Sequence, residues 1–149
     1  MTALTYGSIC SGIGGAEVAW AELGWRSAWC AEVDPFASAL LAQRFVTTEN
    51  LGDFTHIGRG SDARTVDILV GGTPCQAFSV AGQRAGLDDP RGNLTLEFLG
   101  LVGRLLPRWV VWENVPGVLS IDAGRTFGTI LGLLGELGYG FAYRILDAQ

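Results

Sequence analysis

A chain of 149 residues, 48% of them apolar and carrying a formal charge of −5, is long enough for one α/β core and too short for two ordinary domains. No apolar run nears the roughly 20 residues of a bilayer span, and no charged leader precedes an apolar stretch. Three cysteines with no CxxC pair speak against a disulfide framework or a zinc site and suit a reducing cytoplasm, while the acidic balance weighs against a free-standing nucleic-acid binder, which needs Lys and Arg in quantity.

In chain order, β-rich apolar segments alternate with helical patterns, which predicts a doubly wound, mostly parallel α/β sheet covered on both faces. Strands are expected at Leu4 to Cys10, Arg26 to Glu32, Val66 to Val70, Trp109 to Glu113 and Phe141 to Asp147, with a short one before Asp53. A helix is expected after Gly15 on Ala16, Ala19, Trp20 and Leu23, stopped by Gly24. A second starts at Pro35, a favoured first helical position, and runs to about Arg44. Longer apolar stripes recur at Leu94, Phe98, Leu101, Val102 and Leu105, and at Phe127, Ile130, Leu131, Leu134 and Leu137. Residues 71 to 93 hold five glycines and two prolines without a period, which predicts a long functional loop and a candidate lid. No repeat or linker divides the chain, so residues 1–149 read as one domain.

Ligands of such sheets bind outside the carboxyl ends of the strands, and the chemistry-bearing residues fall there. Cys10-Ser11-Gly12-Ile13-Gly14-Gly15 follows the first strand as a nucleotide-type loop opening a helix. It departs from the dinucleotide fingerprint because Glu17 takes the sixth position, where GxGxxG has glycine. Glu32, after the second strand, is placed to accept from both ribose hydroxyls of an adenosine-containing cofactor, and Asp53, after Gly52, from the adenine amino group. Gly71-Gly72-Thr73-Pro74-Cys75-Gln76 presents a thiol in the long loop, an exposed nucleophile once deprotonated. Glu113, in Glu113-Asn114-Val115-Pro116-Gly117, ends the apolar run Trp109-Val110-Val111-Trp112, where desolvation is expected to favour its protonated form. Blander readings stand beside these: Cys30 as a small buried hydrophobe, Cys10 as either, Glu113 as a helix cap, Glu32 as a solvated strand-end acid, Asp53 as a turn former, and His56 as an ordinary loop residue.

Gly12-Ile13-Gly14-Gly15, Glu32, Gly52-Asp53, Pro74-Cys75-Gln76 and Glu113-Asn114-Val115, in this order, resemble the cytosine-5 DNA methyltransferase family over nearly the whole chain. The run Pro74-Cys75-Gln76-Ala77-Phe78-Ser79, continuing through Gly82 to Asp89-Pro90-Arg91-Gly92-Asn93-Leu94, is its most specific part. The resemblance implies a Rossmann-like S-adenosylmethionine-dependent fold, truncated at its C-terminal side. It implies a cofactor site drawn from Cys10, Gly12, Ile13, Gly14, Gly15, Glu32, Val33, Asp53, Phe54, Pro74 and Leu94, with no metal and no membrane. It further implies that Cys75 adds to carbon 6 of a cytosine in DNA while Glu113 serves the ring nitrogen. The base is flipped from the duplex, with Gln76, Ser79 and Arg91 closing behind it.

Two positions depart from the family pattern: Ser8 stands where the family often has an acid, and Cys10 where it often has an aromatic residue. Gln149 falls before the family's arginine-bearing motif, its target-recognition region and the C-terminal segment that completes the cofactor pocket, which implies a complementing C-terminal chain that carries them and many of the DNA contacts. Three other functions compete on the sequence: methylation of transfer RNA by a related branch, an inactive binding module, and a nicotinamide-dependent oxidoreductase, which the Glu17 mismatch disfavours.

Overall fold

Five short segments pair into one all-parallel sheet in the computed structural model, which describes residues 3–59, 64–74 and 94–147. In chain order they are β1 (Thr5–Ile9), β2 (Arg26–Ala31), β3 (Glu49–Asn50), β4 (Ile68–Gly71) and β5 (Trp109–Trp112), arranged spatially as β3-β2-β1-β4-β5. Helix α1 (Gly15–Ala21) links β1 to β2, α2 (Pro35–Arg44) links β2 to β3, and α3 (Leu94–Leu105) precedes β5. The chain winds outward from β1 through β2 to β3, then returns to the other side of β1 as β4, so the strand order reverses between β1 and β4. In sheets of this kind the crevice that takes ligands lies at such a reversal, outside the carboxyl ends of the strands.

The described residues fall into two units: residues through Thr73 with Gly100–Glu113, and Pro74–Leu99 with Asn114–Gln149. The first unit contains the sheet. Tyr6, Ile9, Trp29, Cys30, Leu41, Ile68, Leu69, Leu101 and Val102 are buried in it, the last two from the stripe expected of α3. Two details fix strand alignment. Thr5 donates through its backbone N–H and its hydroxyl to Asp67 Oδ2, each at 2.8 Å, tying the start of β1 to the start of β4. Between Tyr6 and Gly7 the β1–β2 register slips by one residue, so that Gly7 faces Trp29 rather than Ala28. Asp34 caps α2, its Oδ1 accepting from Ala37 N at 2.8 Å, and Pro35 is the first helical residue, as its fixed φ favours.

In the second unit, 3₁₀ turns at Pro116–Leu119 and Ile121–Gly124 lead into α4 (Arg125–Glu136), which buries Ile130. The strand expected at Phe141 to Asp147 does not form: residues 141–147 carry no regular structure and Phe141, Tyr143, Ile145 and Leu146 are exposed. The alternating pattern is present, but a strand exists only when a neighbour takes up its backbone groups, and among the described residues none pairs with it. No helix among the described residues is long and apolar enough to cross a membrane.

Close packing at the sheet centre makes a stability prediction. A Cβ on Gly71 would stand 2.3 Å from Ile9 Cγ1 and 2.6 Å from the Ile9 carbonyl oxygen, its partner on β1. Because backbone cannot yield as a side-chain tip can, Gly71→Ala is expected to cost about 1–3 kcal/mol in urea unfolding. Gly128→Ala is the control: a Cβ there meets nothing within 4 Å, and the substitution is expected to stabilise α4 by about 0.5–1 kcal/mol.

Candidate functional site

The carboxyl ends of β1, β2 and β3 gather four of the predicted residues, Cys10, Gly12, Glu32 and Asp53. After β1 the chain turns through Cys10 (φ 48°) and Gly12 (φ 54°), left-handed geometry that glycine accepts without strain and cysteine does not. That turn aims the Gly12 N–H at Glu32 Oε2, 2.7 Å away. The other oxygen of Glu32 accepts from Val33 N and Asp34 N, each at 2.8 Å. Three of the roughly four acceptor directions of this carboxylate are therefore used by backbone, which leaves about one for a ligand while the loop holds this shape.

Asn50, which the sequence reading passed over, supports Glu32 from the end of β3. Its Oδ1 accepts from Glu32 N at 3.0 Å, and its Nδ2 donates to Glu32 O and to Ser38 Oγ, each at 3.1 Å. The only sequence signal was an amide side chain two residues before Gly52. Asp53 is exposed, and its Oδ1 accepts from Thr55 N at 2.9 Å at the start of the 3₁₀ turn Phe54–His56. That hydrogen bond from the Thr55 backbone holds its carboxyl below the usual aspartate range. Asp53 thus does form a local turn, with Thr55 bonding it through both its backbone and its side chain. Partly buried Cys10 sits near both acids: burial first, then the charges of Glu32 and Asp53, push its thiol up to about 11, so it is protonated at neutral pH. Burial likewise pushes Cys30 up to about 11, consistent with its bland reading as a core residue.

Around this carboxylate pair, Ile13 and Val33 expose apolar side chains and Gly15 has open space at its Cβ position. Gly14 is packed against Phe45, and Phe54 is buried in the core. Leu94 is the first residue of α3, and Pro74 is exposed just past β4. Beneath the loop, Ser8 Oγ donates to Glu17 Oε1 at 2.6 Å and lies 2.8 Å from Ser11 Oγ. The sequence marked Glu17 only as a mismatch, because its partner lies nine residues back on another element.

At the neighbouring strand ends, Glu113 N donates to Gly71 O at 3.1 Å and Trp112 Nε1 donates to Thr73 Oγ1 at 3.1 Å, which fastens the turn after β4 to the end of β5. The Glu113 carboxyl lies over Gly72: a Cβ there would come within 2.6 Å of Oε2. Contrary to the expected desolvation, Glu113 is exposed, because Trp109 and Val111 of the outermost described strand are exposed as well. Nor does it cap the next turn of the chain: the N–H of Val115 is taken by the Asn114 side chain at 2.9 Å. Cys75, Gln76, Ser79 and Arg91, with residues 75–93 of the expected lid, lie outside the described residues, while Gly71 at its start closes β4. Among the described residues no cluster of side chains suits a metal ion.

Comparison with known proteins gives this arrangement a lineage. The chain is 50% identical over 91% of its length to a protein of Escherichia phage P1 named DNA N-6-adenine-methyltransferase, but spans 20% of that protein. It is 34% identical over 95% of its length to the Type II methyltransferase M.AquIA of Picosynechococcus, spanning 63% of it. The crystal structure of a Spodoptera frugiperda DNMT2 mutant superposes with a TM-score of 0.69 at 24% identity, over 91% of this chain and 41% of that one, a likeness of fold. The model of C-5 cytosine-specific DNA methylases matches residues 4–149. The chain belongs to the C-5 cytosine-specific DNA methylase family.

Proposed function

We propose that residues 1–149 are the cofactor-binding and catalytic part of an enzyme that moves a methyl group from S-adenosylmethionine to carbon 5 of cytosine in DNA. The observation that carries this reading is the placement of Glu113. Its carboxyl rests on Gly72, three positions before Cys75 in the sequence.

The donor set of the crevice suits the cofactor: a strand-end carboxylate with an acceptor direction left for a ribose hydroxyl, a second carboxylate for an amino group, and apolar Ile13 and Val33 for a ring face. When bound, S-adenosylmethionine supplies a methyl group made electrophilic by the adjoining sulfonium. The protein's task is the other partner, since carbon 5 of a pyrimidine is a poor nucleophile. The Cys75 thiolate adds to carbon 6, and the ring electrons move toward carbon 5 as Glu113 hydrogen-bonds or protonates the ring nitrogen. After carbon 5 has taken the methyl group it gives up its proton to a base, and the bond to the Cys75 sulfur breaks, restoring the ring. Reaching those atoms in a duplex requires the base to leave the stack, a task the reading gives to Gln76, Ser79 and Arg91.

Adenine N6 methylation, named for the phage P1 protein, fits this chain less well. An exocyclic amine attacks a methyl group with its own lone pair and needs no thiol. Because the chain spans only part of its relatives, DNA recognition is proposed to use the region beyond the matched part of those relatives, supplied in the assay as a complementing polypeptide, acting where genomic DNA resides, in the cytoplasm of a bacterial or phage-infected cell. The pair, incubated with methyl-labelled cofactor and DNA, is expected to yield labelled 5-methylcytosine. Label found only in N6-methyladenine, only in transfer RNA, or in neither nucleic acid, overturns the reading.

Cofactor binding is separately measurable on this chain. Glu32→Gln puts an NH₂ where the carboxylate takes backbone N–H groups, and removes a charge-assisted acceptor. Calorimetry is expected to show the dissociation constant for S-adenosylmethionine rising by roughly tenfold or more.

A further inference from the structure

Glu17 is 2% exposed, on a seven-residue helix whose neighbours Val18 and Ala19 face solvent. Burying an acid is costly unless its oxygens are used, and one of them is: Oε1 accepts from Ser8 at 2.6 Å, while Oε2 has no partner among the described residues. A carboxylate only accepts, so the Ser8 hydroxyl must spend its hydrogen on Glu17. Its lone pairs then face Ser11 Oγ, 2.8 Å away, and that hydroxyl has its hydrogen for Ser8, at the side-chain oxygen or at the carbonyl oxygen 3.1 Å away. The Ser11 oxygen is left to accept from Ala31 N, at 3.3 Å. The acid thus fixes the direction of the Ser8 hydroxyl, and a chain of contacts runs from the Ala31 N–H through Ser11 and Ser8 to Glu17. Both ends of the glycine turn are caught in it, because Ser11 precedes Gly12 and Ala31 precedes Glu32, the pair joined at 2.7 Å.

We propose that Glu17 is a positioning residue for the cofactor loop, holding Gly12 and Glu32 in register through Ser8 and Ser11. The direction of the relay, rather than bulk or packing, is what Glu17 contributes. Its use in binding rests on the cofactor reading above, whereas its effect on the loop does not.

The test separates the two. Amide hydrogen exchange of the ligand-free chain is followed by NMR at Gly12, which reports the loop, and at Leu69, which reports the sheet. Ser8→Ala and Glu17→Met are each expected to speed Gly12 exchange by about tenfold while Leu69 is unchanged, as loss of one buried hydrogen bond implies. Glu17→Gln keeps an acceptor for Ser8 and is expected to stay within about threefold of the parent. The double variant Ser8→Ala/Glu17→Met is expected to be no worse than either single one, the mark of one shared chain of bonds. Gly12 exchange unchanged in the single variants, Gln behaving as Met does, or fully additive losses would each overturn the proposal. If Glu17→Met does not fold, Ser8→Ala and Ser11→Ala carry the same comparison. In calorimetry, binding of S-adenosylmethionine is expected to weaken in parallel, about tenfold for Glu17→Met and little for Glu17→Gln. No binding by the parent chain, with the exchange pattern intact, overturns the cofactor reading and leaves the relay supported.

Discussion

Cys75→Ala, assayed with the complementing polypeptide present, is expected to lower methyl transfer to cytosine by on the order of 10⁴-fold or more, as removal of a covalent nucleophile does elsewhere. The loss falls on the chemical step. Without a thiolate at carbon 6, no electron pair is pushed to carbon 5, and no other group described in the site replaces it: Cys10 and Cys30 are each pushed up to about 11 by burial and neighbouring acids. The variant is expected to retain the parent's affinity for S-adenosylmethionine, since the carboxylates of the crevice are untouched. It is also expected to form no covalent adduct with DNA containing 5-fluorocytosine, where carbon 5 cannot release a proton and the sulfur of the parent stays attached. A fluorinated-DNA adduct in mass spectra of Cys75→Ala, or methyl transfer at the parent rate, would remove Cys75 from the mechanism.

Glu113→Gln is the second large effect, an expected fall of about 10²- to 10³-fold in single-turnover rate, within the usual range for general acid catalysis. Gln can hydrogen-bond to the ring nitrogen but gives up no proton as charge develops there, so kcat falls while cofactor binding holds. Gly72→Ala gives an independent check on position. Its Cβ would come within 2.6 Å of Glu113 Oε2 and 3.2 Å of the Glu113 carbonyl oxygen, so the carboxyl must move off the turn, and an intermediate loss of rate is expected with both catalytic groups intact. Glu113→Gln turning over as fast as the parent would mean that the carboxyl belongs only to the strand end.

Local chemistry made much of this protein legible from residues alone. The runs that became β1, β2, β4 and β5 were found within a few residues, because apolar β-branched and aromatic segments of that length have few other uses. The stripe on α3 and the proline at the start of α2 were read for similar reasons, whereas the Asp34 cap was not. The motifs around Glu32, Asp53, Cys75 and Glu113 were recognisable because each follows a predicted strand, and the family match over residues 4–149 bears out the resemblance they carried.

What tertiary structure decided depends on partners distant in the chain. Phe141 to Asp147 has the alternation of a strand and is not one, since pairing is a property of two segments and sequence shows one. The apolar run before Glu113 suggested a buried acid, yet β5 is the outermost described strand of its sheet and leaves the carboxyl exposed. Glu17 broke a glycine pattern in the sequence; only the folding of α1 back against β1 turns that mismatch into a hydrogen bond to Ser8. Spacing along a chain fixes which groups can be near each other within one element, and hydrogen bonds across elements follow strand order and register, which are set by burial of the sheet as a whole.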